Sequence, residues 1–100
     1  MVLLEFSITP LGQGESVSPY VARCVELVAA SGLPYELHSM GTIVEGELDV
    51  VLALMQCCME AVAEDCPRVT CAAKLDWRPG HSGRLQSKVA SVQEKLKSHS

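Results

Sequence analysis

Apolar and polar residues alternate in two stretches of the chain, and this pattern predicts two half-buried β-strands. The first covers residues 2–9, where one face carries Val2, Leu4, Phe6 and Ile8. Pro10 and the loop with Gly12 and Gly14 end this strand. The second covers residues 68–78, where one face carries Val69, Cys71, Ala73, Leu75 and Trp77. Shorter strands are predicted from Tyr35 to Met40 and from Thr42 to Glu47, with a turn at Gly41 between them.

Helical spacing of apolar residues predicts three helices. The first begins with Ser18 as the N-cap and Pro19 as the first helical residue, and it ends at Gly32. The second carries an apolar stripe made of Leu48, Val51, Leu52, Met55, Cys58, Met59 and Val62. The third lies near the C-terminus and carries Leu85, Val89, Val92 and Leu96 on one stripe.

The predicted order is β-α-β-β-α-β followed by a C-terminal helix, in a single domain that spans residues 1–100. Two right-handed crossovers around a hairpin form an α+β ferredoxin-like sandwich, with both main helices on one face of the sheet. The other face is expected to be uncovered and lined by Leu3, Glu5, Ser7, Thr9, Thr70, Ala72, Lys74 and Asp76. This half-apolar surface predicts a homo-oligomer that assembles through the sheet.

Composition and charge exclude several classes of protein. The chain has 48% hydrophobic and 20% charged residues, which is typical of a globular domain. Its net charge of −4 argues against a nucleic-acid partner, and the bases in its C-terminal third are interleaved with acids. No apolar run reaches the length of a membrane span, and the N-terminal residues do not resemble a signal peptide. We therefore expect a cytoplasmic protein without a membrane partner.

The sequence offers little support for catalysis or for a metal. The five cysteines are an odd number without C-x-x-C spacing, so neither disulfides nor a zinc site are expected. Cys24, Cys58 and Cys71 fall on apolar faces and are interpreted as small buried hydrophobic residues. No nucleotide-binding loop or nucleophile motif occurs, so no catalytic residue and no cofactor is predicted.

The segment from Met40 to Glu47 is the most unusual part of the chain, because it combines two glycines, a threonine and two carboxylates. A glycine inside a strand commonly marks a close approach of another group, and Gly46 is such a glycine. Glu45 and Glu47 alternate onto one face, so they could share a ligand. Alternatively, Glu47 is a helix N-terminal acid and Glu45 a solvated residue.

Five segments carry a family resemblance. They are Ser-Val-Ser-Pro-Tyr-Val-Ala (16–22), Met-Gly-Thr-Ile-Val-Glu-Gly-Glu (40–47), Arg68-Val69, Lys74-Leu75-Asp76-Trp77-Arg78 and Lys88-Val89-x-x-Val92-x-Glu94-Lys95-Leu96. Together they resemble the small thiamine-binding, YkoF-like protein family from Met1 to about Leu96, and residues 40–47 are the most specific part. The resemblance implies a ferredoxin-like fold, assembly into dimers and tetramers through the sheets, and binding of thiamine or its hydroxymethyl-pyrimidine part without catalysis.

The chemistry of that ligand selects candidate site residues. A carboxylate can accept a hydrogen bond from the 4′-amine of the pyrimidine, and acidic surroundings suit the cationic thiazolium. Glu45 is the first choice for this acceptor, with Thr42 as a hydroxyl partner and Met40 as an apolar wall. Ser16 and Ser18 are further candidates. The candidates for stacking are Tyr20, Tyr35 and Trp77.

Two other functions stay open at this point. The chain could be a structural or regulatory homo-oligomer without a small-molecule ligand, in which the segment from Met40 to Glu47 organises the subunit interface. It could also be an enzyme that acts on a pyrimidine precursor with Glu45 or His38 as a base.

Overall fold

The computed structural model of the chain describes residues 1–12, 18–80 and 83–98. The elements in chain order are β1 (Val2–Leu11), α1 (Ser18–Ala30), β2 (Tyr35–His38), β3 (Gly41–Gly46), α2 (Leu48–Ala63), β4 (Arg68–Trp77) and α3 (Arg84–Ser98). The strands form one antiparallel sheet in the order β2-β3-β1-β4. The predicted ferredoxin-like α+β fold with an additional C-terminal helix is confirmed. No helix in these three ranges is both long and apolar enough to cross a membrane.

The first strand is longer than predicted, because Pro10 lies inside β1 instead of ending it. β1 pairs with β4 as far as Leu11, but it pairs with β3 only as far as Phe6. Proline lacks the N–H group that a strand donates to its neighbour, so it is tolerated where one edge of a strand has no partner. Pro10 lies at such an edge.

The core lies between one face of the sheet and the helices α1 and α2. Its buried residues are Val2, Leu4, Phe6, Val28, Val44, Val51, Leu54 and Cys58. The predicted stripe of α2 needs one correction: Leu54 is buried, whereas Leu52 is exposed. Leu54 follows Val51 by three residues and precedes Cys58 by four, so these residues share the side of the helix that faces the sheet.

Gly46 explains how closely α2 approaches the sheet. A Cβ atom at this position would lie 3.1 Å from a methyl group of Val51 and 3.2 Å from one of Leu33. As predicted, other groups approach this glycine closely, and they belong to α2 and to the loop before β2.

The second face of the sheet is covered at one end, which corrects the expectation of a fully open face. Leu3 is paired with Glu45 and with Asp76, so these three residues share this face. Leu3 and Glu45 are nevertheless buried. The helix α3 contacts β3 and buries its own Leu85, which accounts for this cover. The rest of α3 leaves Val89, Val92 and Leu96 exposed.

Leu4 and Leu37 offer a matched test of the core. Leu4 is fully buried, whereas Leu37 on the edge strand is 56% exposed. Leu4→Ala is expected to lower the free energy of unfolding by about 2–5 kcal/mol, because it removes buried methyl groups and leaves a cavity. Leu37→Ala is expected to change it by no more than about 0.5 kcal/mol. Denaturant unfolding of both variants checks this, and equal losses would contradict the assigned core.

Candidate functional site

A cleft of about 370 Å³ opens between β1, α1 and the turn that joins β2 to β3. Its walls are mainly apolar and include Phe6, Ile8, Val21, Val25 and Leu37. The volume falls within the range of small-molecule sites, which are mostly apolar concave surfaces with a few polar groups. The cleft is therefore the leading candidate site in the described part of the chain.

The cleft exists because β3 ends before β1 does. Beyond Phe6, no strand in the described part of the chain pairs with the edge of β1 that faces the turn, and residues 7–10 of β1 line the cleft. The carbonyl of Phe6 points to this side, since a Cβ atom on Gly41 would lie 2.7 Å from its oxygen. The carbonyl of Thr9 points the other way and accepts a hydrogen bond from Thr70 Oγ1 on β4 at 3.5 Å.

This geometry identifies the polar groups at the unpaired edge. Main-chain groups of successive strand residues point to opposite sides of the strand. The N–H and C=O groups of Ile8 and the carbonyl of Pro10 therefore point to the side that β3 leaves unpaired. These groups can form one hydrogen bond as a donor and two as acceptors with a flat ligand in the cleft.

The β2–β3 turn forms the rim of the cleft and brings two predicted site residues together. Thr42 is paired with Phe6, so both side chains are on the face of the sheet that carries the helices. Met40 lies beside it in the lining and is 80% exposed. The methionine side chain is flexible, so it can pack over apolar ligands of different shapes.

His38 stabilises this turn. Its Nδ1 accepts a hydrogen bond from the backbone N–H of Met40 at 3.3 Å. Because Nδ1 is an acceptor, the neutral imidazole carries its hydrogen on Nε2, which lies 3.4 Å from Glu5 Oε2. The contact of Nδ1 with the backbone is that of a structural histidine, whereas Nε2 is buried near Glu5 without a hydrogen bond among the described residues.

The lining of the cleft is almost uncharged. Among the residues that the structure assigns to it, His38 and Cys24 are titratable, and none is an aspartate, glutamate, lysine or arginine. A neutral aromatic ring therefore enters without displacing an ion pair, and a cationic group meets no like charge.

The structure does not bring Glu45 together with Thr42 and the cleft. Glu45 lies three residues further along β3, on the opposite face of the sheet, and is only 3% exposed. Its backbone N–H donates a hydrogen bond to the Pro34 carbonyl at 3.0 Å. Glu47 lies beyond β3 as the exposed N-cap residue of α2. The two carboxylates therefore do not share one site.

A smaller cavity of about 150 Å³ lies on the second face of the sheet. Unlike the cleft, its lining includes charged side chains, those of Glu5 and Lys74, which are paired across β1 and β4. Met40 contributes to this cavity as well as to the cleft. Met40 is therefore within reach of a ligand on either face of the sheet.

The remaining candidates lie elsewhere. Ser16 lies outside the described residues, and of Ser18 only its position at the start of α1 is described. Tyr20 lies under the Arg23 guanidinium, whose carbon is 5.6 Å from the ring centroid. Tyr35 and Trp77 are exposed, and none of the three aromatic residues lines the cleft.

Sequence reasoning missed the main-chain edge of β1 and the apolar walls of the cleft. Pro10 inside an alternating segment was the available signal for an unpaired edge, because proline is excluded from the middle of a sheet. The walls gave no such signal, since their residues follow the same periodicity as core residues. Within the three described ranges, no group of three or more His, Cys, Asp or Glu residues is arranged to hold a metal ion.

Comparison with known proteins gives consistent results. The sequence pattern of a family described as thiamine-binding protein matches residues 4–93. The UPF0045 protein Mb1933 of Mycobacterium bovis is 44% identical over 96 residues, which cover 95% of this chain and 94% of that protein. The UPF0045 protein YqgV of Bacillus subtilis is 34% identical over 102 residues, covering 96% and 98% of the two chains.

Solved structures share the fold. The crystal structure of the hypothetical protein MJ1052 from Methanocaldococcus jannaschii superposes with a TM-score of 0.85 and 35% identity, covering 93% of this chain and 96% of that one. A Thermotoga maritima protein described as a candidate for thiamine biosynthesis or salvage superposes with a TM-score of 0.76. It is 19% identical over 88% of this chain and 97% of that one, so it supports the fold alone.

Two glycines test the geometry of the rim. Gly41 has a φ of 156°, and an added Cβ would meet the Phe6 carbonyl oxygen, whereas Gly80 has a φ of 81° and no atom within 4 Å of such a Cβ. Gly41→Ala carries the cost of an alanine at positive φ and, in addition, the cost of the clash with Phe6. This clash is expected to lower the free energy of unfolding by about a further 1–3 kcal/mol, because the turn must move away from β1. Gly80→Ala carries only the cost of the positive φ, about 1–2 kcal/mol. Equal losses in thermal unfolding would contradict the close contact between the turn and β1.

Proposed function

Because the chain belongs to the thiamine-binding protein family, we propose that it is a non-catalytic cytoplasmic binding protein, a carrier or a sensor, for thiamine or its hydroxymethyl-pyrimidine part. The observation that carries this proposal is the cleft of about 370 Å³, which joins Met40 and Thr42 to apolar walls from β1 and α1. A cavity of this size accommodates an aminopyrimidine ring.

The unpaired edge of β1 complements the aminopyrimidine. The 4′-amine of this ring donates hydrogen bonds, and the adjacent ring nitrogen accepts one. The carbonyl groups of Ile8 and Pro10 and the N–H of Ile8 offer the matching acceptors and donor along the edge. Thr42 adds a hydroxyl group, and Met40 covers the ring from the rim.

The thiazolium of thiamine imposes a second requirement, since it carries a positive charge. No lysine or arginine belongs to the described lining of the cleft, and the chain has a net charge of −4. The ring can therefore lie toward the mouth of the cleft without repulsion from a nearby cation. Glu45 remains a candidate acceptor for a ligand on the second face of the sheet, beneath α3.

The non-catalytic part of the proposal rests on the chemistry of the lining. General acid–base catalysis needs a titratable group that is free to exchange a proton with the substrate. Of the titratable groups in the described lining, Cys24 is engaged with α2, and His38 is engaged with Met40 through Nδ1 while its Nε2 is buried near Glu5. An enzyme that acts on a pyrimidine precursor would need one of them to leave its partners.

The first test is thermal unfolding of the ligand-stripped protein with thiamine, thiamine phosphates and hydroxymethyl-pyrimidine. A ligand at 100 times its Kd adds about 2.7 kcal/mol of stability, which raises the Tm of a domain of this size by several degrees. A selective rise with one compound identifies the ligand. Unchanged Tm values in a folded oligomer would favour a structural oligomer, and turnover of the ligand would favour an enzyme.

Three variants then distinguish the two faces of the sheet. Thr42→Val keeps the size of the side chain but removes the hydroxyl group, and it is expected to weaken binding about 5-fold to 10-fold, the equivalent of one hydrogen bond. Thr70→Val is the control, because Thr70 is exposed and does not line the cleft. Glu45→Gln is the third variant, and its affinity for the ligand is measured by calorimetry. If the ligand binds in the cleft, Glu45→Gln binds it as tightly as the wild type. If Glu45→Gln is the only variant that loses affinity, the ligand binds on the second face instead.

We also propose that the chain forms a homo-oligomer, a dimer of dimers, through its sheet. The second face is only partly covered by α3, and Thr70, Ala72 and Lys74 on it are exposed. Association would also bury the apolar side chains that α3 leaves exposed, which are Val89, Val92 and Leu96. Surfaces of this kind are typical of subunit interfaces.

Native mass spectrometry tests the assembly. Ala72→Arg adds a charge to the open part of the sheet, and Val92→Lys adds one to the exposed stripe of α3. Each is expected to lower the subunit number, because a buried unpaired charge disfavours association. Ala53→Lys is the control on the exposed side of α2. A monomeric wild type, or an Ala72→Arg protein with unchanged mass, would contradict assembly through the sheet.

A further inference from the structure

Two cysteines face each other where α1 packs against α2. Cys24 Sγ lies 3.9 Å from the backbone carbonyl oxygen of Cys58, and Cys58 Sγ lies 3.8 Å from that of Cys24. Each thiol thus donates a weak hydrogen bond to the main chain of the other residue. This reciprocal contact joins helical turns that are 34 residues apart in the sequence.

The two thiols differ in their access to solvent. Cys58 is completely buried, whereas Cys24 is half-buried and lines the cleft. A small polar molecule that enters the cleft therefore reaches Cys24 first. Cys58 does not belong to the described lining of the cleft.

Their protonation also differs. A hydrogen bond from the Cys58 side chain lowers the pKa of Cys24, burial opposes this shift, and the nearby Arg23 guanidinium supports it. The same hydrogen bond, together with burial, raises the pKa of Cys58 far above its usual range. The thiolate is the reactive form of cysteine, so Cys24 is the nucleophile of the pair and Cys58 keeps its proton.

We propose that Cys24 and Cys58 form a hydroperoxide-sensitive dithiol, in which Cys24 is oxidised through the cleft and Cys58 then joins it in a disulfide between α1 and α2. The proposal does not depend on the ligand proposed for the cleft. Cys24, on the apolar wall of that cleft, has no other role in the proposed binding of thiamine.

The chemistry balances with the hydroperoxide as the oxidant. The Cys24 sulfur attacks one peroxide oxygen, an S–O bond forms, the O–O bond breaks, and the released oxygen takes up a proton and leaves as water or an alcohol. The Cys58 sulfur then attacks the sulfenic acid sulfur of Cys24, an S–S bond forms, and the hydroxyl group leaves as water with the proton of Cys58. The two thiols lose two electrons, which reduce the peroxide.

The other described cysteines are poorer partners for Cys24. Cys66 lies beyond the C-terminal end of α2, where its side chain interacts with Tyr20. Cys57 is exposed, and it points to a different side of α2 from its neighbour Cys58. Cys71 on β4 is the nearest competitor, because the charge of Cys24 adds to burial in raising the pKa of Cys71. Its thiol, however, is directed at the carbonyl of Ala72 on its own strand, at 3.9 Å.

Peptide mapping of the full-length reduced protein after exposure to hydrogen peroxide tests the proposal. The remaining thiols are alkylated, and the digest is analysed by mass spectrometry without reduction. The expected product is a peptide pair linked between Cys24 and Cys58, and a reductant reverses it. Cys57→Ser is the matched control and keeps the link, whereas Cys24→Ser abolishes it.

A second variant separates the two steps. In Cys58→Ser, Cys24 is expected to stop at the sulfenic acid, which dimedone traps. Oxidation of the wild type is also expected to raise its Tm by about 10 °C, because the bond closes a long loop of the unfolded chain.

Three results would overturn the proposal. They are a link between Cys24 and Cys71, oxidation of Cys24 beyond the sulfenic acid while Cys58 stays reduced, and no reaction of Cys24 under conditions that oxidise Cys57. If Cys58→Ser does not fold, the peptide map of the wild type decides the question alone.

Discussion

The unequal pairing of β1 with its two neighbours is the constraint on which the candidate site depends. The sheet continues on the β4 side to Leu11, but on the β3 side it stops at Phe6. This difference leaves a gap beside a central strand, roofed by α1 and closed at one end by the β2–β3 turn. The location of that turn determines the position of Thr42 and the exposure of Met40. It also allows the hydrogen bond between His38 and the backbone of Met40.

The strand β3 serves two separate regions, because its side chains alternate between the faces of the sheet. Thr42 faces the helices and the cleft, whereas Glu45 lies beneath α3 on the other side. A residue spacing of three can place two side chains on one face of a helix but never on one face of a flat strand. The segment from Met40 to Glu47 thus combines the rim of the candidate cleft with a support for the C-terminal helix.

The fold was predictable because its signals are local. Alternation in β1 and β4 and the spacing in α2 define elements, and the order of the elements restricts the topology. Two details depended on tertiary contacts: which of Leu52 and Leu54 faces the sheet, and whether Pro10 ends its strand.

The site was less predictable from the sequence. It depends on the residue at which β3 stops pairing with β1, and the alternation of residues within each strand does not determine this register. The contact between Cys24 and Cys58 depends on how two helices cross, and no sequence spacing encodes this.

Pro10 also affects which molecules the gap in the sheet can accept. An exposed strand edge ordinarily attracts another extended chain, which adds to the sheet through regularly repeated hydrogen bonds. At Pro10 that series loses a donor, so an incoming peptide would leave one of its own carbonyl groups unsatisfied. A compact ring that needs only the groups around Ile8 carries no such cost. A single imino acid thus biases this edge against strand exchange with other polypeptides.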